Sequence, residues 1–440
     1  MLESASLPDG MVHPVAEIEK FAAWILGMLV AVAVFFQVHM SLPGGRINLN
    51  LADPIAVLAL AVVSLHVLLA KQLPGWRIGQ FNLALGIISL QLLLGFINGW
   101  LEIGVTQWAL GGRLLGWFVL LGYLSAGYLI VSKFGAHGLR RFAETLIATA
   151  VVVVILQAIL RLLGQWGVSA GVQLTPNFEG YAGNRNAFAF QLLAVMALLL
   201  GYSQVYARYG AVSKDPGRPR VFSLLFGILL AGLVWSYSRT GMFVVVAVLL
   251  FAWVGRLADR RMIVWGMIFA TILWTGVWLA AQKIFIQSVF SGNIFAQGFS
   301  VESLPVQNVF AADASPQEHW ITLVRGLELW RQSPVLGIGL GVFIAKSPVW
   351  LGHARVIHST PVWILAELGL VGAGVFGWTF FLLGRHVVRF DKVLPSRRIL
   401  LLLLTAFIMF GFVHEIFYQR IFWLVLGAVL ARPFALSLHP

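Results

Sequence analysis

The chain has 440 residues, 60% hydrophobic and only 11% charged, with no cysteine and a net charge of +13. Its apolar share is far above that of a soluble protein, and the missing cysteine excludes disulfides and thiolate metal sites. The basic excess is spread through short loops, the pattern of a membrane protein with basic cytoplasmic loops, so it does not point to nucleic acid.

Apolar runs of about 20 residues, the length that crosses a bilayer as a helix, predict about twelve spans. They fall near 21–38, 51–70, 81–100, 114–132, 142–163, 186–205, 221–236, 240–255, 262–282, 360–384, 399–413 and 418–436. The first segment follows Glu3, Asp9, Glu17 and Glu19, and no small-residue cleavage site comes after it. It reads as a retained span and not a signal peptide. With the N-terminus in the cytoplasm, the cytoplasmic side collects 19 of the 30 Lys and Arg residues, which places both termini there. The chain then reads as a single integral-membrane domain over 1–440, with one long outer loop at 283–359.

A long loop of that kind usually carries function. Its 317–333 part has helical spacing, with Glu318, Thr322 and Arg325 on one face and Trp320, Leu323, Leu327 and Trp330 over much of the rest. It reads as a helix lying in the membrane interface. Pro334 ends it, and Gly337, Gly339 and Gly341 form a tight turn. These glycines are not a phosphate loop, because the Lys-Ser/Thr pair of the nucleotide motif is absent. The chain reaches His358 and enters the next span, with Thr360 as the expected cap and Pro361 in the first turn. His358 therefore sits just outside a helix N-terminus, whose dipole favours the neutral imidazole that a general base needs.

Two further outer positions share this pattern. Gly183-Asn184-Arg185-Asn186 opens the sixth span, and Ser236-Tyr237-Ser238-Arg239-Thr240-Gly241 is the hairpin between the seventh and eighth. Free backbone N–H groups at helix starts bind anions, and an arginine fork grips phosphate oxygens in pairs. The expected result is a phosphate or diphosphate pocket at the outer lip built on Arg239, Arg185 and Arg325, with His319, Asn184, Ser238, Glu367 and Arg420 as supporting candidates. The bland alternatives are arginines that snorkel to headgroups and a histidine that is only structural. Glu367 lies about 10 Å below the cap at helical rise and needs a partner at that depth. His353 and Arg355 either assist His358 or belong only to the loop. His414 and Glu415 crowd the last outer hairpin beside Arg420. No outer-face carboxylate cluster offers the oxygen ligands that hard divalent ions want, so the site is expected to hold no metal, and no cofactor is implied.

SYSRTG at 236–241, PVLGIGLGVF at 334–343 and HSTPVWILAELGLVG at 358–372 resemble the signature of the O-antigen ligase/polymerase superfamily, and NRNAFAFQLL at 184–193 resembles its earlier Asn-rich segment. The similarity covers roughly the second half of the chain, in the same order. It implies a GT-C-type glycosyltransferase fold of about twelve helices in a bacterial inner membrane. It also implies a glycan donor on undecaprenyl diphosphate and transfer on the periplasmic side. On that analogy Arg239 binds the diphosphate and His358 stands at the reaction centre. The sequence departs from the pattern at His319, where family members often carry an arginine, and Arg325 lies closer to the glycine segment. Three activities compete within the superfamily. They are a ligase that moves the glycan to a lipid A–core sugar, a polymerase joining two lipid-linked glycans, and a protein O-oligosaccharyltransferase, which usually has an extra periplasmic domain not visible here. A lipid-linked glycan transporter is the non-enzyme alternative, and the few charges in the spans count against it.

Overall fold

The computed structural model describes residues 14–42, 45–165, 178–210, 218–290, 316–389 and 394–432. The described chain is almost wholly helical. Helix α1 (Pro14–Ala33) leads to an antiparallel hairpin, β1 (Gln37–Leu42) and β2 (Gly45–Asn50), paired from Gln37↔Asn50 to Leu42↔Gly45. This hairpin departs from the all-helical expectation. Helices α2 (Asp53–Ala70) and α3 (Phe81–Ile103) follow. A π-helix at Trp108–Leu115 then runs into α4 (Gly116–Gln165). Gly135, at φ 58° and ψ −136°, breaks α4 into two helices, which correspond to the expected pair 114–132 and 142–163. The series continues with α5 (Arg185–Gly210), α6 (Arg218–Trp235), α7 (Arg239–Val254) and α8 (Arg260–Phe290). It ends with α9 (Pro316–Gln332), α10 (Val342–Leu351), α11 (Thr360–Arg389), α12 (Pro395–Val413) and α13 (Arg420–Leu430). The sequence reading passed over α10. Of the 283–359 segment, residues 291–315 lie outside the described residues.

Among the described residues, six helices are long and apolar enough to cross a membrane, and five shorter apolar helices accompany them. This is a multi-pass membrane protein. Its outer surface shows the same chemistry: Leu68, Leu69, Leu101, Val254 and Phe243 are exposed, which suits hydrocarbon and not water. The centre belongs to α5, 89% of whose Arg185–Ser203 window is buried inside the bundle. Loops from different parts of the chain meet at one end, where Arg77 Nε donates to the Ala431 carbonyl and the Arg432 amide donates to Gly75. At the opposite end of α2 and α13, Arg420 grips Asp53 with two bonds, of 2.7 and 2.8 Å.

A single backbone break shapes the site region. Helix α11 is interrupted at Gly369, whose φ of 67° and ψ of −165° are not helical. Membrane-depth backbone freed in this way needs protein partners, and the glycine turn supplies them. The amides of Ile338 and Gly339 donate to the carbonyls of Ala366 and Glu367, while those of Leu370 and Val371 donate to Pro334 and Val335. Asn98 Nδ2 donates to the Gly337 carbonyl at 2.7 Å, tying the turn to α3. Gly339 (φ 98°) lies so close to α3 that a Cβ there would stand 2.1 Å from the Gly99 nitrogen, so only glycine fits.

Candidate active site

Asn184 caps α5: its Oδ1 accepts from the Asn186 and Ala187 amides at 2.8 and 3.2 Å. Arg185, the first residue of the helix, is 4% exposed. Ser238 caps α7 and accepts from the Gly241 amide at 3.0 Å. The sharp turn before it needs Tyr237 in the left-handed region, at φ 52°. The Ser238 hydroxyl donates to Asn186 Oδ1 at 2.6 Å, which joins the NRN and SYSRTG segments directly. Arg239 follows with its side chain exposed. Thr240 Oγ1 stands 3.0 Å from His414 Nε2, so the same hairpin also touches the turn after α12.

The start of α11 shows one correction. Thr360 does not cap the helix; Ser359 Oγ accepts from the Val362 amide instead. The Thr360 hydroxyl is taken up elsewhere: it donates to the His414 carbonyl at 3.0 Å and accepts from the Ile416 amide at 3.1 Å. Because both ends of that hydroxyl serve the 414–416 turn, the neighbouring serine caps the helix. His358 lies just outside the helix, as expected.

Three histidines converge there from distant parts of the chain. The His319 ring, in the first turn of α9, stacks on His358 with centroids 4.0 Å apart and planes 25° apart. His414 meets both edge-on, at 5.5 Å from His319 and 6.1 Å from His358. Their ligating atoms all lie within 4.8 Å of one another. None of the three is exposed. Beside them, Arg355 pairs with Glu318 at 3.4 Å, and Arg355 Nε donates to His353 at 2.9 Å. The loop before α11 is thereby pinned to the start of α9.

Other candidates stand apart, held by partners of their own. Glu367 Oε2 accepts from Trp363 Nε1 at 2.8 Å, and Oε1 accepts from the Gly341 and Phe343 amides at 3.1 and 3.4 Å. It therefore fastens the glycine turn and the start of α10 to α11. Arg420 is committed to Asp53, which also accepts from the Tyr123 hydroxyl at 2.9 Å. Arg325 pairs with Glu328 at 2.7 Å and lies 5.6 Å from the Trp350 ring centroid.

Sequence reasoning overlooked Arg113. The π-helix buries this residue, which pairs with Glu415 at 3.0 Å between the Trp363, Tyr418 and Trp108 rings, 4.6 to 5.1 Å away. It anchors the turn that carries His414. The available signal was a lone arginine at the entrance of an apolar span, which needs a partner. The histidine set was visible only as three separate residues, 39 and 56 positions apart in the sequence.

Residues 224–377 match the family model for O-antigen ligase. The chain is similar to the O-antigen ligase superfamily. The match takes in SYSRTG, the glycine turn and the His358 segment, and the Asn184–Asn186 segment lies before it. The comparison with curated proteins found no match.

Proposed function

We propose that the chain is an O-antigen ligase, a GT-C-type inner-membrane glycosyltransferase. In this reading it moves a glycan from undecaprenyl diphosphate to a lipid A–core sugar on the periplasmic face. The observation that carries the reading is a junction of motifs: Asn186 and Ser238 are hydrogen-bonded, as are Thr240 and His414, and the His414 ring meets His358 edge-on. Three segments of the superfamily signature, around Asn186, Thr240 and His358, thus meet around His414, which lies outside the signature.

The proposed step is a single displacement. The acceptor hydroxyl oxygen attacks the anomeric carbon of the lipid-linked sugar, and its proton passes to the His358 imidazole. The bond from the anomeric carbon to the diphosphate breaks, and its electron pair leaves on the diphosphate oxygen. Arg239, exposed at the start of α7, and Arg185, at the start of α5, meet that charge together with the helix N-termini. Arg325 joins them only by exchanging Glu328 for the ligand. A diphosphate leaves without a strong acid opposite the base, so the scheme needs no metal and no covalent enzyme intermediate, and the sugar configuration inverts.

Purified protein incubated with lipid-linked glycan and either lipid A–core or a second lipid-linked glycan tests the reading. Glycosylated lipid A–core is expected. A product formed only with the second lipid-linked glycan would assign a polymerase, and no transfer to either acceptor would sink the enzyme reading.

A further inference from the structure

We propose that His319, His358 and His414 bind a borderline-soft divalent cation, with zinc(II) as the reference ion, and that its binding blocks transfer. The inhibition half of this proposal rests on the reading of His358 as the base; the binding half stands on geometry alone. Three imidazoles with one position left open form a common protein set for zinc. Nitrogen donors of this kind favour zinc, copper and nickel over magnesium or calcium, which want oxygen ligands. The nearby carboxylates are otherwise engaged, Glu318 with Arg355 and Glu415 with Arg113, so ligation falls to the imidazoles.

The three rings arrive on separate elements, and the segments carrying His414 and His319 are held from behind. The Thr240 hydroxyl contacts His414 at Nε2, the kind of outer hydrogen bond that orients a ligating histidine. Thr360 fixes the His414 carbonyl, and the Arg355–Glu318 pair fixes the start of α9 next to His319. The donor atoms now lie within 4.8 Å of one another. Tetrahedral zinc with Zn–N bonds of about 2.0–2.1 Å wants them about 3.3 Å apart. Binding therefore draws the nitrogens inward and opens the His319–His358 stack, because the lone pairs of stacked rings lie in parallel planes and do not converge. The ion would occupy the nitrogens that the acceptor's proton needs. The same site is then inert to magnesium and closed by zinc.

The test uses full-length protein in detergent, titrated with Zn2+ by calorimetry and with Co2+ by visible absorption. A single ion per chain is expected, with the cobalt spectrum of a four-coordinate nitrogen site. His319→Gln and His414→Gln should each weaken binding at least about tenfold, since losing a ligand costs no less than losing the hydrogen bond behind one. Diethyl pyrocarbonate footprinting of the wild-type protein covers the case in which a variant fails to fold. There, Zn2+ should protect His319, His358 and His414 from modification, and Mg2+ should not. Unchanged affinity in both variants, or protection of other histidines only, would overturn the site. In the transfer assay, Zn2+ should inhibit at the concentration that fills the site, and EDTA should restore activity. Zinc bound at the triad without inhibition would leave the site standing but remove His358 from the chemistry. Inhibition without triad binding would remove the site and leave the role of His358 untouched.

Discussion

Arg239 opens α7 with an exposed side chain, between a serine that caps the helix and a threonine that reaches His414. A guanidinium that merely snorkelled would need no such neighbours. As a diphosphate ligand it makes paired contacts that an ammonium cannot copy. Arg239→Ala should therefore nearly abolish transfer, and Arg239→Lys should restore it only in part. The expected loss is about 1.5–3 kcal/mol per charged hydrogen bond, read as turnover of the purified variants. Full activity in Arg239→Ala would end its role as a ligand. The sequence showed this residue, Asn184 and Ser238 because capping is local chemistry. It did not show that the Thr360 hydroxyl would serve the 414–416 turn and leave capping to Ser359, since that choice depends on a partner 54 residues away.

The glycine turn and the broken helix α11 act as one element. Gly337, Gly339 and Gly341 were legible as a turn, and Glu367 as a buried acid in need of a partner. That the turn itself is the partner was not legible, because the bond spans 26 residues and depends on the break at Gly369. Glu367 accepts three N–H groups, and a neutral amide in its place turns two hydrogens toward donors. Glu367→Gln should lower the unfolding temperature of the purified protein while turnover per folded molecule changes only a few-fold. Lost turnover at an unchanged unfolding temperature would instead move Glu367 into the chemistry. Helix α4 offers a similar lesson. Its two helices were readable from hydropathy, whereas Arg113, in the π-helix before it, was not readable as an anchor, because Glu415 lies 302 residues away.

At the scale of the whole molecule, apolar run length marked where most of the described helices fall, since it follows from bilayer thickness, while the distribution of Lys and Arg yields only an expected orientation. The β1–β2 hairpin was missed although Val38, Met40 and Leu42, then Ile47 and Leu49, alternate with polar residues, because the first expected span, 21–38, ran over its start and the next began at 51. The expected topology puts the 283–359 segment outside. The chain has no cysteine, so Ala354→Cys, at an exposed position, should react with an impermeant maleimide in intact spheroplasts. Protection there, with labelling of a cysteine placed within 206–220, would invert the topology. Transfer should survive excess EDTA, because in the proposed step guanidinium groups and helix ends carry the diphosphate charge. Loss with EDTA and rescue by magnesium would contradict that.

The central claim is that His358 takes the acceptor's proton while other groups hold the donor. The measurement that tests it most directly is the turnover of purified His358→Ala with lipid-linked glycan and lipid A–core, with donor affinity measured on the same sample. The account predicts near wild-type donor affinity and a turnover reduced by roughly 10²–10⁴-fold, the usual worth of general-base help. Wild-type turnover in that variant would contradict it.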